Sequence, residues 1–199
     1  MTTPIRLATI IGSTRPGRFG PVAGNWFARA ASARDDIELD LIDLADVGLP
    51  AALPAEPDEA VSAYVERIDR ADAFVIVTPE YNHGYPASLK QAIDIPHAEW
   101  QRKAVGFVSY GGLAGGMRAV EQLRQVFAEV HCTTVRETVS FHQFWEQFDS
   151  STGEPKDPAA AASAATTMLD DLVWWAAALR TARHRDAAQT AMDVSADAA

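Results

Sequence analysis

Three short runs of this chain, IRLATII at 5–11, AFVIVT at 73–78 and AVGFVS at 104–109, are apolar almost from end to end. A strand with one wet face alternates apolar and polar residues, whereas a strand apolar at consecutive positions is covered on both sides. Such strands belong in the middle of a parallel sheet with helices packed above and below. The segments between them have the matching periodicity. Val22, Trp26 and Ala30 recur at helical spacing after the first run, and Val61, Val65 and Ile68 mark one face of 58–70. Residues 86–95 read as a short helix with proline in its first turn, and Val120, Leu123, Phe127 and Val130 define another helical face.

Two more strands complete the set. Ile37, Leu39 and Leu41 alternate with Glu38 and Asp40, the pattern of a strand with one more exposed face, and 132–139 is the last β candidate. A long helix is predicted from the Asp157-Pro158 cap, with Leu169, Leu172, Trp175 and Leu179 inward, ending near Arg183. Strands alternating with helices require right-handed crossovers, so the expected class is α/β with a doubly wound, five-stranded parallel sheet. We expect one domain over 1–183 and a disordered tail over 184–199.

The formal net charge of −10 argues against a nucleic-acid partner, which needs a basic face. Cys132 is the only cysteine, which excludes an intramolecular disulfide and a Cys-rich metal centre. No metal ligand set is expected. No apolar run is long enough to span a membrane and the N-terminus lacks signal-peptide features, so no membrane partner and a cytoplasmic location are expected.

In an open parallel sheet, ligands sit beyond the carboxyl ends of the strands. Three segments leave strands at that edge. The first, GSTRPGRFG at 12–20, brings hydroxyls, free amides, two guanidinium groups and a helix N-terminus together. That set suits a phosphate, and the alternative is a polar turn with solvated arginines. It is neither a dinucleotide fingerprint nor an ATP-type P-loop. The second, TPEYNHGYP at 78–86, is stiffened by two prolines and freed by Gly84, and it offers a wall and amides to a planar ring. The third, SYGGLAGG at 109–116, allows close approach of the main chain to a ligand, or else forms only a tight turn.

The stretches GSTRPGRFGPVAGNWF (12–27), TPEYNHGYPASLKQAID (78–94) and VSYGGLAGGMRAVEQLRQVF (108–127) resemble the NADPH-dependent FMN reductase family, which includes flavin, quinone, azo-dye and chromate reductases. The resemblance implies a flavodoxin-like three-layer fold with sheet order 2-1-3-4-5. It implies FMN as cofactor and NADPH or NADH as hydride donor, with a small-molecule acceptor reduced in a ping-pong cycle. By this resemblance Ser13, Arg15, Arg18 and the start of the first helix at Gly20, Pro21 and Val22 hold the phosphate. Pro79, Glu80, Tyr81, Asn82 and His83 border the ring, while Ser109, Tyr110, Gly111 and Gly112 close its ribityl side. A homodimer or homotetramer is implied, in which Glu80 either reaches an arginine of a neighbouring subunit or is solvated.

No catalytic side chain is expected, because the cofactor carries the chemistry. Two other readings stay open: an FMN electron carrier of flavodoxin type, and a flavin-free interaction protein of the same fold. Cys132 is read as a core residue. Phe141, His142, Phe144 and Trp145 form either a wall over the site or a hydrophobic corner, with the corner favoured. Trp174 and Trp175 are read as packing in the core or at a subunit contact.

Overall fold

The computed structural model describes the backbone of residues 3–197 and the side chains of residues 3–189. The chain runs β1 (Ile5–Ile11), α1 (Gly20–Ser32), β2 (Ile37–Asp43), α2 (Leu44–Val47), α3 (Glu59–Arg70) and β3 (Ala73–Pro79). It continues through α4 (Ala87–Asp94), β4 (Ala104–Tyr110), α5 (Met117–Glu129), β5 (Thr133–Phe141), α6 (Phe144–Gln147) and α7 (Pro158–Asp197). All four strand pairings are parallel and the order is β2-β1-β3-β4-β5. The expected doubly wound, flavodoxin-like sheet is therefore observed.

Burial explains the order. β3 and β4 are buried at every position and occupy the centre and its neighbour, whereas β2, with its alternating sequence, lies at an edge. One core joins the sheet to α1 and α7 through Trp26, Phe27, Met168, Leu169 and Leu172. The other joins it to α3, α4 and α5 through Tyr64, Ile68, Leu89, Leu123 and Phe127. Asp58 caps α3 by accepting from the Val61 amide at 2.8 Å, as its position before the apolar periodicity suggests.

Several local features differ from the sequence reading. The short helices α2 and α6 carry too few residues to show a period. Helix α7 continues to Asp197 instead of ending near Arg183; an alanine-rich stretch holds no residue that stops a helix. Its Arg180 and Arg183 bind Asp72 at 3.1 Å each, pinning the helix to the opposite edge of the sheet from the three loops. Trp175 packs on the core while Trp174 is 64% exposed. Among the described residues no helix is long and apolar enough to cross a membrane.

Candidate active site

The three segments meet at the carboxyl edge of β1, β3 and β4. β1 ends in a turn that passes through Ser13, which is fully buried, and reaches α1 at Gly20. Helix α1 starts without a side-chain cap or an acidic residue in its first turn. The amides of Ser13, Thr14, Arg15 and Gly20 find no acceptor among the described residues. Buried backbone donors are almost always paired, so an unpaired buried amide at Ser13, beside an uncapped helix N-terminus, fits an anion. Arg15 is exposed, has no carboxylate partner among the described residues, and sits 5.7 Å over the Tyr81 ring.

The other predicted phosphate ligands are placed differently. Arg18 donates through Nη2 to Asp43 at 2.7 Å, and both side chains are largely covered. Its guanidinium ties the loop to the end of β2, leaving Nη1 buried and without a partner. Pro21 lines a separate hollow with Asn25 and Asp43, and Val22 packs on the core beside α7. Gly20 lies beneath the loop, where a Cβ would meet Ile11 Cγ2 at 2.8 Å and the Tyr110 hydroxyl at 3.2 Å. The Ser13 hydroxyl pairs with that same Tyr110 hydroxyl at 3.1 Å. Burial pushes the Tyr110 phenol well above its ordinary range, with the Ser13 hydrogen bond opposing, so it stays neutral.

A cleft of about 280 Å³ opens next to this loop, lined by Arg15, Phe19, Glu80, Tyr81, Gly112 and Trp145, with Pro79, Tyr110, Gly111 and Phe144 completing it. Residues from all three predicted loops thus come together. Phe19 is a lining residue that sequence reasoning did not assign, and Phe144 and Trp145 take the wall position that it had weighed against a corner. The chain after β5 bends back through Gln143, at φ 45°, and the amides of Gln143 and Phe144 donate to the carbonyls of Gly112 and Gly111 at 2.9 and 3.3 Å. That fold-back carries Phe144 and Trp145 to the cleft, while Phe141 packs against Trp26 and Phe148 in the core. The aromatic cluster therefore splits between wall and corner. Phe19 stacks beneath, 4.5 Å from Phe144 and 5.3 Å from Tyr110.

The glycine loop splits as well. Gly111 and Gly112 line the cleft, and the Gly112 amide has no acceptor among the described residues. Gly115 and Gly116, at φ 60° and 88°, instead form the tight turn into α5. Ser109 donates to the Gly115 carbonyl at 2.8 Å, so its hydroxyl supports that turn and does not line the cleft.

In the middle loop the left-handed residues are Asn82 (φ 49°) and His83 (φ 74°), where the sequence had suggested Gly84. Tyr81 and Gly84 exchange amide–carbonyl bonds of 2.9 and 3.0 Å across them, which is a two-residue turn with two positive φ angles. Both side chains are exposed at its tip, off the cleft. Glu80 is not a solvated loop carboxylate: it pairs with Arg118 of its own chain at 2.9 Å and is itself mostly buried. Cys132 is buried in the core, its thiol donates to the Trp100 carbonyl at 3.0 Å, and burial pushes it up to about 12.

A parallel sheet of this order, with an anion-ready β1–α1 loop and an aromatic cleft beyond β3 and β4, defines a flavodoxin-like protein. Residues 5–146 match the NADPH-dependent FMN reductase family, and the chain belongs to that family of oxidoreductases. It is 36% identical over 132 residues to an NAD(P)H-dependent FMN reductase of Schizosaccharomyces pombe, a match that covers 61% of this chain and 64% of that protein. The match thus spans less than two thirds of the yeast relative. A quinone reductase of Escherichia coli K12 is 34% identical over 138 residues, covering 63% of this chain and 71% of that one. The solved structure of FerB, an NAD(P)H:(acceptor) oxidoreductase from Paracoccus denitrificans, superposes with a TM-score of 0.69 at 26% identity. It covers 86% of this chain and 97% of its own.

Proposed function

We propose that the protein is an FMN-dependent oxidoreductase taking hydride from NADPH or NADH and passing two electrons to a small-molecule acceptor such as free flavin or a quinone, in ping-pong order. The observation that carries this reading is the convergence of three loops on one aromatic cleft beside unpaired amides. Bound FMN would supply the redox centre that accepts hydride and releases it to the acceptor. Every other task falls to the chain. The amides of 13–15 and Gly20, with the Arg15 guanidinium, hold the phosphate through charge-assisted hydrogen bonds. Tyr81, Phe144 and Trp145 wall the ring and exclude water from it. The free amides of Asn82, His83 and Gly112 supply donors where negative charge grows on reduction.

Cytoplasmic residence and a homodimer or homotetramer complete the proposal. Leu113, Met117 and Trp145, exposed by 81%, 51% and 58%, leave apolar surface around the cleft and support a subunit contact there. The test is the visible spectrum of the purified protein reconstituted with FMN, followed anaerobically. Bleaching of the bound flavin by NADPH or NADH alone, and its return on adding a quinone, is expected. A yellow protein that neither nucleotide bleaches is an electron carrier, and one that takes up no FMN refutes the reading.

A further inference from the structure

The turn at Asn82-His83 is costly as built. Two consecutive L-residues hold positive φ, and the favoured sequence for such a turn has glycine at its second position, where this chain has His83. A left-handed L-residue crowds its own Cβ against the backbone, and the surroundings must hold it. The support comes from one face of α5. Arg118 grips Glu80 twice: Nη1 donates to Oε1 at 2.9 Å and the main-chain amide donates to Oε2 at 3.3 Å. One helical turn later Gln122 donates through Nε2 to the His83 carbonyl at 2.9 Å. Gly84 makes room for this contact, since a Cβ there would stand 3.1 Å from Gln122 Oε1.

The consequence lies in the amides. Glu80, Tyr81 and Gly84 donate within the protein, to the Tyr110, Gly84 and Tyr81 carbonyls. Only the two left-handed residues keep unpaired amides in this turn among the described residues. We propose that Arg118 and Gln122 are positioning residues for the flavin, clamping the Glu80–Gly84 turn so that the Asn82 and His83 amides stay free as donors to the ring. Neither Arg118 nor Gln122 lines the cleft, and Asn82 and His83 directly follow its lining residue Tyr81 without lining it themselves, so the clamp acts through the turn. This rests on the FMN reading above and adds to it an element, α5, that sets the donor geometry.

The experiment titrates the purified full chain with FMN, following flavin fluorescence, absorption maximum and reduction potential. Gln122→Glu keeps the size of the side chain but replaces the donor facing the His83 carbonyl with an acceptor. It is expected to weaken FMN binding about five- to tenfold, the worth of one hydrogen bond, and to shift the potential of the bound flavin. Gln122→Ala should weaken binding as well, and the double variant Gln122→Ala/His83→Gly, which sets no carboxylate against the residue-83 carbonyl, should recover most of the affinity, because glycine holds positive φ without the clamp. Arg118→Gln, examined alongside, should weaken binding in the same direction with little change in thermal unfolding of the apoprotein.

Equal affinity and potential in wild type and Gln122→Glu, or no recovery in the double variant, overturns the clamp while FMN binding itself stands. Failure of the wild type to bind FMN overturns both.

Discussion

Replacing Gly20 by alanine tests whether the β1–α1 loop is shaped for a ligand. Gly20 begins α1 with negative φ, so helix propensity alone would favour alanine by about 0.8–1 kcal/mol. Space decides the other way. The added Cβ would stand 2.8 Å from Ile11 Cγ2 and 3.2 Å from the Tyr110 hydroxyl, and would also collide with the Ser13 hydroxyl. All three neighbours are buried, and overpacking of this kind costs about 1–3 kcal/mol. The net expectation is a loss of up to about 2 kcal/mol, together with displacement of the Ser13 segment. Binding should fall further, because a charge-assisted hydrogen bond to phosphate contributes about 1.5–3 kcal/mol, or roughly ten- to a hundredfold. Gly24→Ala is the control. It crowds Ile11 at 2.5 and 2.6 Å but touches neither Ser13 nor Tyr110. Urea unfolding of both apoproteins and fluorescence titration with FMN should show stability lost in both and affinity lost only in Gly20→Ala. Equal FMN affinity in Gly20→Ala and wild type, or equal losses in the two variants, would refute the assignment of this loop.

Burial pushes the Lys103 ammonium down to about 8 from its ordinary 10.5. The unfolded chain therefore binds more protons between these values, and stability should rise with pH across that window by about 1–3 kcal/mol. Subtracting the pH profile of Lys103→Met, which lacks this group, should isolate the rise. A wild-type profile no steeper than the variant's would count against it. The Cys132 thiol, pushed up to about 12, should react with a disulfide reagent at pH 8 about a thousandfold more slowly than a free thiol, and Cys132→Ala should retain flavin reduction. Asp72→Asn should cost about 3 kcal/mol in urea unfolding, because Arg180 and Arg183 lose their buried counter-charge, while FMN affinity is unchanged.

The frame was legible because burial writes itself into sequence. AFVIVT and AVGFVS have no polar alternation and lie inside the sheet; Ile37–Leu41 alternates and lies at its edge. The three loops were legible as places, since strand ends locate them. What each side chain does was less so. Arg15 and Arg18 are three residues apart and chemically alike, and only the folded position of Asp43 at the end of β2 separates them. Phe144 and Trp145 reach the cleft through a left-handed Gln143, a residue type that carries no turn signal. The strain expected at Gly84 sits at its two neighbours for a similar reason. The hydrogen bonds that pay for it come from Arg118 and Gln122, more than 30 residues away.

The fate of the two arginines also bears on the proposed phosphate site. The Asp43 carboxylate accepts both from Arg18 and from the Ala45 amide at the start of α2, so Arg18 is part of the frame and its charge is largely cancelled. One unpaired guanidinium, Arg15, is left with a set of amides on a protein of net charge −10. Such a loop attracts little by long-range charge. On the proposed reading the loop holds a phosphate by direction, through backbone donors around an uncapped helix end. The proposed ligand, a phosphate joined to an aromatic ring, would use both halves of this site, the loop and the Tyr81–Trp145 cleft.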